Sequence, residues 1–456
     1  MQEGEWDKLL CLNGVDFMSG RQYKVAITVY PLFDTTINPV CVEHTLALQT
    51  AKEEKTVSLY IHIPFCSSIC TFCIYSRIKI DLEIMECYVK AIKKEIRQYG
   101  NSIYMKGKKV GAIFLGGGTP TCLSKKQLRE IINTCRESFA LTCDLEISVE
   151  GNILTATDEM LYELSQAGVT RVSIGTQTFD DRFRKILALQ KTGNDIVDWI
   201  AMAKKHDFNS VSIDLMYGLP GQTVNDWEKD IITALEVHPD HISVYELYVA
   251  SGSELYRKGK RENFCTDDAL YNMYLLAEYM LLHAGYLNQI IPEYHYPTHK
   301  AKFWEMVFDG YSDNIAVGAS AFGYIDGISY QNYEDVKKYI NRVESGKLPV
   351  ERVSQRAEKL QRMERYIALT LRRGYVDKKE FVNIFSCTIE SQFGEVIKEL
   401  MDNDYILENA KEYRLTQRGK YLQGDISVKF FESTFSNCTN LKRRMSIGQY
   451  LIPQLV

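Results

Sequence analysis

Six times between residues 58 and 246, a short apolar run rich in β-branched residues gives way to a longer amphipathic stretch. The runs lie at 58–63, 110–115, 145–150, 171–174, 210–215 and 241–246. The stretches between them include 84–99, 125–139, 158–167, 197–206 and 224–237, where apolar residues recur every three or four positions, the period of one helix face. A strand that rejoins its sheet after a helical crossover runs parallel to its predecessor, and that connection is right-handed. The alternation therefore predicts an α/β fold with a parallel sheet, open or curled into a partial barrel of six strand–helix units. In such sheets ligands collect at the carboxyl ends of the strands.

Every one of those ends carries chemistry. The first run leads into a cysteine loop and the second into Gly116-Gly117-Gly118-Thr119-Pro120. The third ends at Glu150, the fourth leads to Gln177, the fifth ends at Asp214 and the sixth at Tyr245 and Glu246. Packing alone requires none of these residues, so together they predict one shared site.

The 456 residues leave room for more than this core. Residues 1–57 precede it as an N-terminal extension, and the core spans 58–257. Residues 258–350 form an extension with a substrate lid, and 351–456 a small C-terminal helical domain and tail. Within them 265–285 reads as one long helix. The stretch 295–332, with Gly310, Gly318, Gly323 and Gly327, reads as loop. Helical patterns at 357–372, 379–385 and 389–401, followed by short apolar stretches near 405–407 and 413–415, suggest a helix-turn-helix with a β-wing. A DNA-reading version of that module needs a basic face. Its second helix carries Glu390, Glu395 and Glu399 against Lys398, and the whole chain has a formal charge of −5, so no nucleic-acid partner is expected. The Lys442-Arg443-Arg444 tail reads as a solvated terminus. No apolar run approaches the ~18 residues of a spanning helix, and the acidic start Met-Gln-Glu-Gly-Glu has no apolar segment behind it. A cytoplasmic location with no membrane partner is the expectation, and twelve cysteines there read as thiols or metal ligands.

Three of those cysteines stand out. Cys66, Cys70 and Cys73 follow the first strand in the spacing C-x3-C-x2-C. Three thiolates on one loop can hold three irons of a cubane cluster and leave the fourth open. A zinc knuckle is the other reading, and it needs a fourth Cys or His close by. His62 is near in sequence but lies inside an apolar strand. The remaining cysteines are scattered and read as small buried residues.

The cysteine loop after strand one of a βα repeat resembles the radical S-adenosylmethionine (radical SAM) superfamily. Tyr60-Ile-His-Ile-Pro-Phe-Cys66, Gly116-Gly-Gly-Thr-Pro-Thr121, Gly175-Thr-Gln-Thr-Phe-Asp180 and Asp214-Leu-Met-Tyr-Gly-Leu-Pro-Gly-Gln-Thr223 are similar to the HemN-type family, over about residues 58–335. The region 350–425 is similar to that family's small C-terminal, winged-helix-like domain. The resemblance implies a partial (β/α)6 barrel, with a [4Fe-4S] cluster on Cys66, Cys70 and Cys73. Its open iron binds S-adenosylmethionine, and one electron from the cluster cleaves this to a 5′-deoxyadenosyl radical. It also implies an electron donor such as flavodoxin or ferredoxin. Tyr60, Gly117 and Glu150 match positions contacting the first cofactor molecule; Gly118, Thr119, Gln177 and Asp214 match positions contacting a second. Leu189 stands where an Arg is expected, and Lys191, two residues on, is the candidate replacement, although Lys lacks the bidentate fork.

Within the family, Ile74 and Tyr75 follow Cys73, so the further Cys usual in the coproporphyrinogen III decarboxylase branch is missing. Glu150-Gly-Asn-Ile-Leu154, residues 211–223 and 318–332, and the length before Tyr60 are similar to the heme-utilisation (HutW/ChuW-type) branch. Gly-Ala-x-Ala-x-Gly at 318–323 equally resembles the heme-chaperone branch. The heme-utilisation resemblance implies a radical methyltransferase that opens heme to a linear tetrapyrrole and releases iron. Candidate substrate-side residues are Tyr75, Gln177, Tyr245 and Glu246. Arg77 lies just past the cluster loop. His295 and His299 lie in an aromatic loop with Tyr294, Tyr296 and Trp304, and are candidate heme ligands.

Overall fold

A computed structural model of the chain describes residues 30–34, 36–48, 55–73, 75–249, 253–258 and 264–431. Most of the N-terminal extension, the 442–444 tail, Cys11 and Cys438 lie outside the described residues.

Strand β1 (Lys55–Ile63) ends at the cysteine loop, whose two ends are clipped together by β2 (Phe65–Cys66) and β3 (Ile78–Lys79). Five strands follow: β4 (Lys108–Gly117), β5 (Leu141–Gly151), β6 (Arg171–Gln177), β7 (Ser210–Tyr217) and β8 (His241–Glu246). They lie side by side in chain order, all parallel, as the alternation predicts. Each expected strand is present, and most extend a residue or more past the expected end.

The helices begin where side chains satisfy their free amides. Ser124 and Gln127 form a capping box on Lys125–Ser138, and Thr223 and Asp226 form one on Val224–Val237. A third box, Thr192 with Asp195, starts its helix at Gly193–Ala203 rather than at the expected 197. Apolar periodicity alone had missed that start. It had also missed the one-and-a-half-turn helix Asp181–Ile186, capped by Asp180.

The stretch read as loop is where expectation and structure part. Residues 295–332 hold the helix Lys302–Val307 and three strands. Strands β9 (Leu287–Ile290) and β10 (Glu293–His295) precede β11 (Asn314–Val317), β12 (Phe322–Ile325) and β13 (Ile328–Asn332) along the chain. Strand β11 pairs parallel with β1 and is a seventh parallel strand. The antiparallel β12, β13 and β14 (Val350–Val353) extend that edge, and β10 and β9 extend the other beyond β8. Four- and five-residue strands divided by glycine turns give little periodicity to read. Gly318 is needed where β11 ends: its φ is +103°, and a Cβ there would lie 2.5 Å from the His62 carbonyl oxygen.

One buried carboxylate fastens this edge. Glu95, on the helix Leu82–Gly100, accepts from the Gly318 amide at 2.9 Å, from Asn332 Nδ2 at 2.8 Å and from the Tyr339 hydroxyl.

After the helix Lys359–Thr370 come β15 (Tyr375–Asp377), helices Lys378–Phe385 and Ile389–Asp402, and the hairpin of β16 (Ile406–Glu408) and β17 (Glu412–Leu415). Two short helices, Gln417–Tyr421 and Gln423–Lys429, follow the wing and return to the barrel. Among the described residues no helix is long and apolar enough to cross a membrane.

Candidate active site

A cavity of about 320 Å³ opens at the carboxyl ends of the parallel strands. The three thiols of Cys66, Cys70 and Cys73 form one part of its wall. The loop that presents them is held at several points. The Ile78 amide donates to the Pro64 carbonyl at 2.7 Å, and the Cys73 amide to the Cys70 carbonyl at 3.3 Å. His62 Nε2 lies 3.2 Å from the Ser76 carbonyl. Thr119 Oγ1 donates to Cys66 Sγ at 3.6 Å. Burial pushes the Cys66 thiol up to about 11 and Cys70 up to about 12, with the neighbouring thiols adding to both. Burial also raises Cys73, against the Arg77 charge. Thiols in this state ionise only beside a strong positive charge such as bound metal. Among the described residues no histidine and no fourth cysteine lines the cavity. Among the described residues no three His, Cys, Asp or Glu side chains converge on one point as a mononuclear metal site needs. Three thiols on one wall fit a cubane cluster with one open iron instead.

The glycine turn comes next to the thiols because β1 and β4 are in register there, Ile63 beside Gly117. Gly117 has φ +110°, and a Cβ on it would fall 2.2 Å from the His62 ring. Its amide donates to Glu150 Oε2 at 3.0 Å. Gly118 donates its amide to the Ile63 carbonyl at 2.8 Å. Glu150 and Asp214 both line the cavity from β5 and β7. Burial pushes Glu150 well above the usual carboxylate range, Asp214 adds to this, and the Gly117 amide opposes it. Burial lifts Asp214 to about 7, Glu293 adding and Ser243 opposing.

Gly117, Gly118, Thr119, Glu150, Gln177 and Asp214 all line the cavity, and so do Tyr75, Tyr245 and Glu246. Four expected residues do not. Tyr60 is buried in β1, its hydroxyl 3.0 Å from His62 Nδ1 and its ring stacked on Phe114. Lys191 is exposed outside the cavity, and its carbonyl accepts from Arg184 Nε at 3.0 Å. Leu189 does reach the wall, so an apolar side chain faces the cavity where the family pattern expects a guanidinium. His295 pairs with His241 at the opening of β8, the end of the strand away from the cavity, and His299 Nδ1 contacts the Asn209 carbonyl. Neither histidine lines the cavity, and for His295 the reason is that β10 runs antiparallel to β8. Tyr294 and Trp304 are core residues.

The structure adds residues that motif reading missed. Ser173, Gly175 and Gln177 alternate along β6 and all face the cavity, so period-two reading back from Gln177 would have found the first two. Gln177 itself has φ +65°, and the strand end is held by buried Arg184, whose Nη1 donates to the carbonyls of Thr176 at 2.9 Å and Thr178 at 2.8 Å. The far wall is tyrosine-rich, with Tyr217, Tyr248, Tyr274 and Tyr421, and cationic at Arg372 and Lys420, while Arg77 lines the cavity on the thiol side. Arg372, Lys420 and Tyr421 come from the C-terminal region. Tyr421 donates to Glu246 Oε2 at 3.3 Å, Lys420 to Glu278 Oε1 at 2.5 Å, and Arg372 Nη2 to the Ile291 carbonyl at 2.6 Å. No local pattern around residue 420 marks these as site residues.

Residues 60–233 match the model of the radical SAM superfamily. The chain is 30% identical over 383 residues to heme chaperone HemW of Bacillus subtilis (strain 168), covering 82% of this chain and 98% of that one. It is also 30% identical over 315 residues to anaerobilin synthase of Escherichia coli O157:H7, covering 68% and 70%. Among solved structures, coproporphyrinogen III oxidase (HemN) from Escherichia coli shares the fold. The TM-score is 0.78 at 23% identity, covering 89% of this chain and 96% of that one.

Proposed function

Because the chain belongs to the HemN-type family of radical SAM proteins, we propose that it acts on a tetrapyrrole in this cavity, and that its reaction is methyl transfer to heme with opening of the macrocycle and release of iron. The observation that carries the reading is the single chamber: the three thiols and the tyrosine-rich, cationic wall face the same space. The family uses a [4Fe-4S] cluster and S-adenosylmethionine, and when bound they would supply the one-electron cleavage that begins radical chemistry.

This chain's residues do the rest. Cys66, Cys70 and Cys73 hold the cluster. Gly117 and Glu150 receive the amino-acid end of S-adenosylmethionine, where the close backbone approach allowed by a glycine matters. Asp214 and Gln177 lie further along the strand ends, placed for hydroxyl groups of the same or a second molecule. Tyrosine rings suit a flat macrocycle, and Arg77 and Arg372 suit its carboxylates. Tyr421 and Lys420 close the chamber and keep water from the reacting carbon. The identity to anaerobilin synthase supports this reading.

A second reading, a heme chaperone, is favoured by the 98% coverage of the Bacillus subtilis chaperone. One experiment separates the two. The cluster is reconstituted without oxygen, reductant, S-adenosylmethionine and heme are added, and the Soret band is followed with mass analysis of products. Loss of the band with a methylated, iron-free linear tetrapyrrole, abolished by Cys70→Ala, is the expected result. Heme bound with a persistent Soret band would establish the chaperone instead. Unbound, unchanged heme would direct the assay to coproporphyrinogen III and loss of carbon dioxide.

A further inference from the structure

Arg372 brings a charge to the cavity wall without a counter-ion. It follows the helix Lys359–Thr370 in a tight turn, Leu371–Arg373, and leaves only 9% of its surface exposed. Arg372 and Ile291 hold each other in both directions. The Ile291 amide donates to the Arg372 carbonyl at 2.7 Å, while Arg372 Nε and Nη2 donate to the Ile291 carbonyl at 3.1 Å and 2.6 Å. The guanidinium carbon lies 4.3 Å from the centre of the Phe308 ring. One edge and one face of the planar group are thus taken, and its orientation is fixed. The other edge, Nη1 with the second hydrogen of Nη2, meets no acceptor among the described residues.

A buried charge left unpaired is costly. Among the described residues no carboxylate oxygen lies within 4 Å of this one. Glu293 is the acidic group that acts on it through space, but its two oxygens already accept from Ser243 and Tyr245. The other cations of the cavity are answered. Lys420 is paired with Glu278. Arg77 stands beside the thiols, and its charge favours the thiolates of Cys66, Cys70 and Cys73. Arg372 keeps an open edge, and the space it lines is the cavity.

We infer that Arg372 binds a carboxylate of the substrate and so sets its class and its orientation. The substrate is a tetrapyrrole with free acid side chains, its acidic edge against the C-terminal wall and the rest of the ring toward the thiols. This deepens the tetrapyrrole reading above and rests on it. Nη1 and Nη2 present parallel N–H bonds that match the two oxygens of a carboxylate. Val244, Ile291 and Pro292 line the cavity at the same place and offer apolar surface to the ring edge that bears the acid. Because Ile291 and Phe308 already hold the guanidinium, little freedom is lost when the carboxylate arrives.

The test measures binding rather than turnover. The full chain with its cluster reconstituted is titrated with heme and with heme dimethyl ester, without oxygen, reductant or S-adenosylmethionine, and the Soret band is followed. The unaltered chain is expected to bind heme about tenfold more tightly than the ester, the scale of a charge-assisted pair. Arg372→Gln, which can still donate to the Ile291 carbonyl, is expected to bring the two affinities within about twofold by weakening heme and sparing the ester. Arg372→Lys keeps the charge without the fork and is expected to keep part of the preference. Each comparison sets two ligands on one protein, so a general loosening of the wall, which weakens both, does not imitate the result. Equal affinities in the unaltered chain, or a preference for heme that survives Arg372→Gln in full, would overturn the role of Arg372 and leave the tetrapyrrole reading standing. Failure of the unaltered chain to bind either porphyrin would overturn that reading, and this inference with it.

Discussion

The Tyr245 hydroxyl donates to Glu293 Oε1 at 2.5 Å, joining the cavity wall on β8 to a buried carboxylate on β10. Ser243 Oγ donates to the other carboxylate oxygen at 2.6 Å, and His241 Nε2 stands 3.4 Å from it. Burial pushes Glu293 above the usual carboxylate range, the Ser243 and Tyr245 hydroxyls opposing. Burial also pushes Tyr245 well above 10, and the Glu293 charge adds to this. Tyr245 therefore keeps its proton over the working pH range. Its orientation is set by a partner that carries no sequence motif.

Tyr245→Phe tests that arrangement. The ring still fills its place, but a buried carboxylate oxygen loses its donor, which costs about 1–3 kcal/mol of stability in urea denaturation. Product formation from heme is expected to fall about tenfold, the scale of one lost hydrogen bond at the cavity wall. Affinity for S-adenosylmethionine, measured by calorimetry, should stay within about twofold, because the residues expected to hold it are elsewhere on the wall. An unchanged turnover rate would show that Tyr245 only packs.

Gly117→Ala is expected to be far more damaging than its size suggests. The new methyl group would lie 2.2 Å from the His62 ring at a φ of +110°. Relief requires moving either the glycine turn or the strand under the thiol loop. Overpacking of this kind costs about 1–3 kcal/mol before the unfavourable φ is added. A lowered melting temperature together with an iron content below that of the unaltered chain is the expected result. Ala at Gly221, which also has φ +78° but nothing within 4 Å, controls for backbone strain alone.

What could be read from the residues, and what could not, divides along physical lines. The six parallel strands were legible because each is a buried run ended by a turn, and chain order fixed their neighbours. Cys66, Gly117, Glu150, Gln177 and Asp214 were legible because strand ends share one edge. Arg372 and Tyr421 were not, since each reaches the cavity by docking from far along the chain, and neither was Glu293, which meets Tyr245 only through the pairing of β10 with β8. Lys191 stands outside the cavity because spacing from Gln177 counts residues but not turns, and the chain has positive φ at Ala188 and Lys191. His295 also stands outside it, because sequence cannot tell which way an edge strand runs.

Glu95 gives the fold a pH dependence of definite sign. Burial lifts its carboxyl from 4.5 to about 7, against the donors Tyr339, Gly318 and Asn332. In the unfolded chain it ionises near its ordinary value. Between about pH 4.5 and 7 the folded chain therefore holds a proton that the unfolded chain has released. Its contribution to stability falls as pH rises through that window and is level above it. Glu95→Gln removes the titration, so the drop in unfolding free energy between pH 5 and pH 7.5 should shrink by roughly 1–3 kcal/mol. Asp214 and Asp230, raised to about 7 and about 6, contribute equally to both proteins and leave the difference to Glu95. An identical drop in the two would assign the slope to those other carboxyls.

Arg184, rather than Lys191, is the basic residue that organises the Gln177 region. Its guanidinium donates to four carbonyls, those of Thr176, Thr178, Gln190 and Lys191. These lie on both sides of the segment in which Gln177 adopts φ +65°. A planar fork can reach both sides at once; a lysine ammonium on a flexible stem cannot. Arg184→Lys should therefore leave buried carbonyls without donors and lower the affinity for S-adenosylmethionine about tenfold, corresponding to one or two lost hydrogen bonds. Lys191→Ala, which removes only an exposed side chain, should leave that affinity within about twofold. Calorimetric titration of the cluster-loaded chain measures both. The reverse ranking would mean that Lys191 folds back over the cavity when the cofactor is present, and would restore the second cofactor contact that Leu189 cannot make.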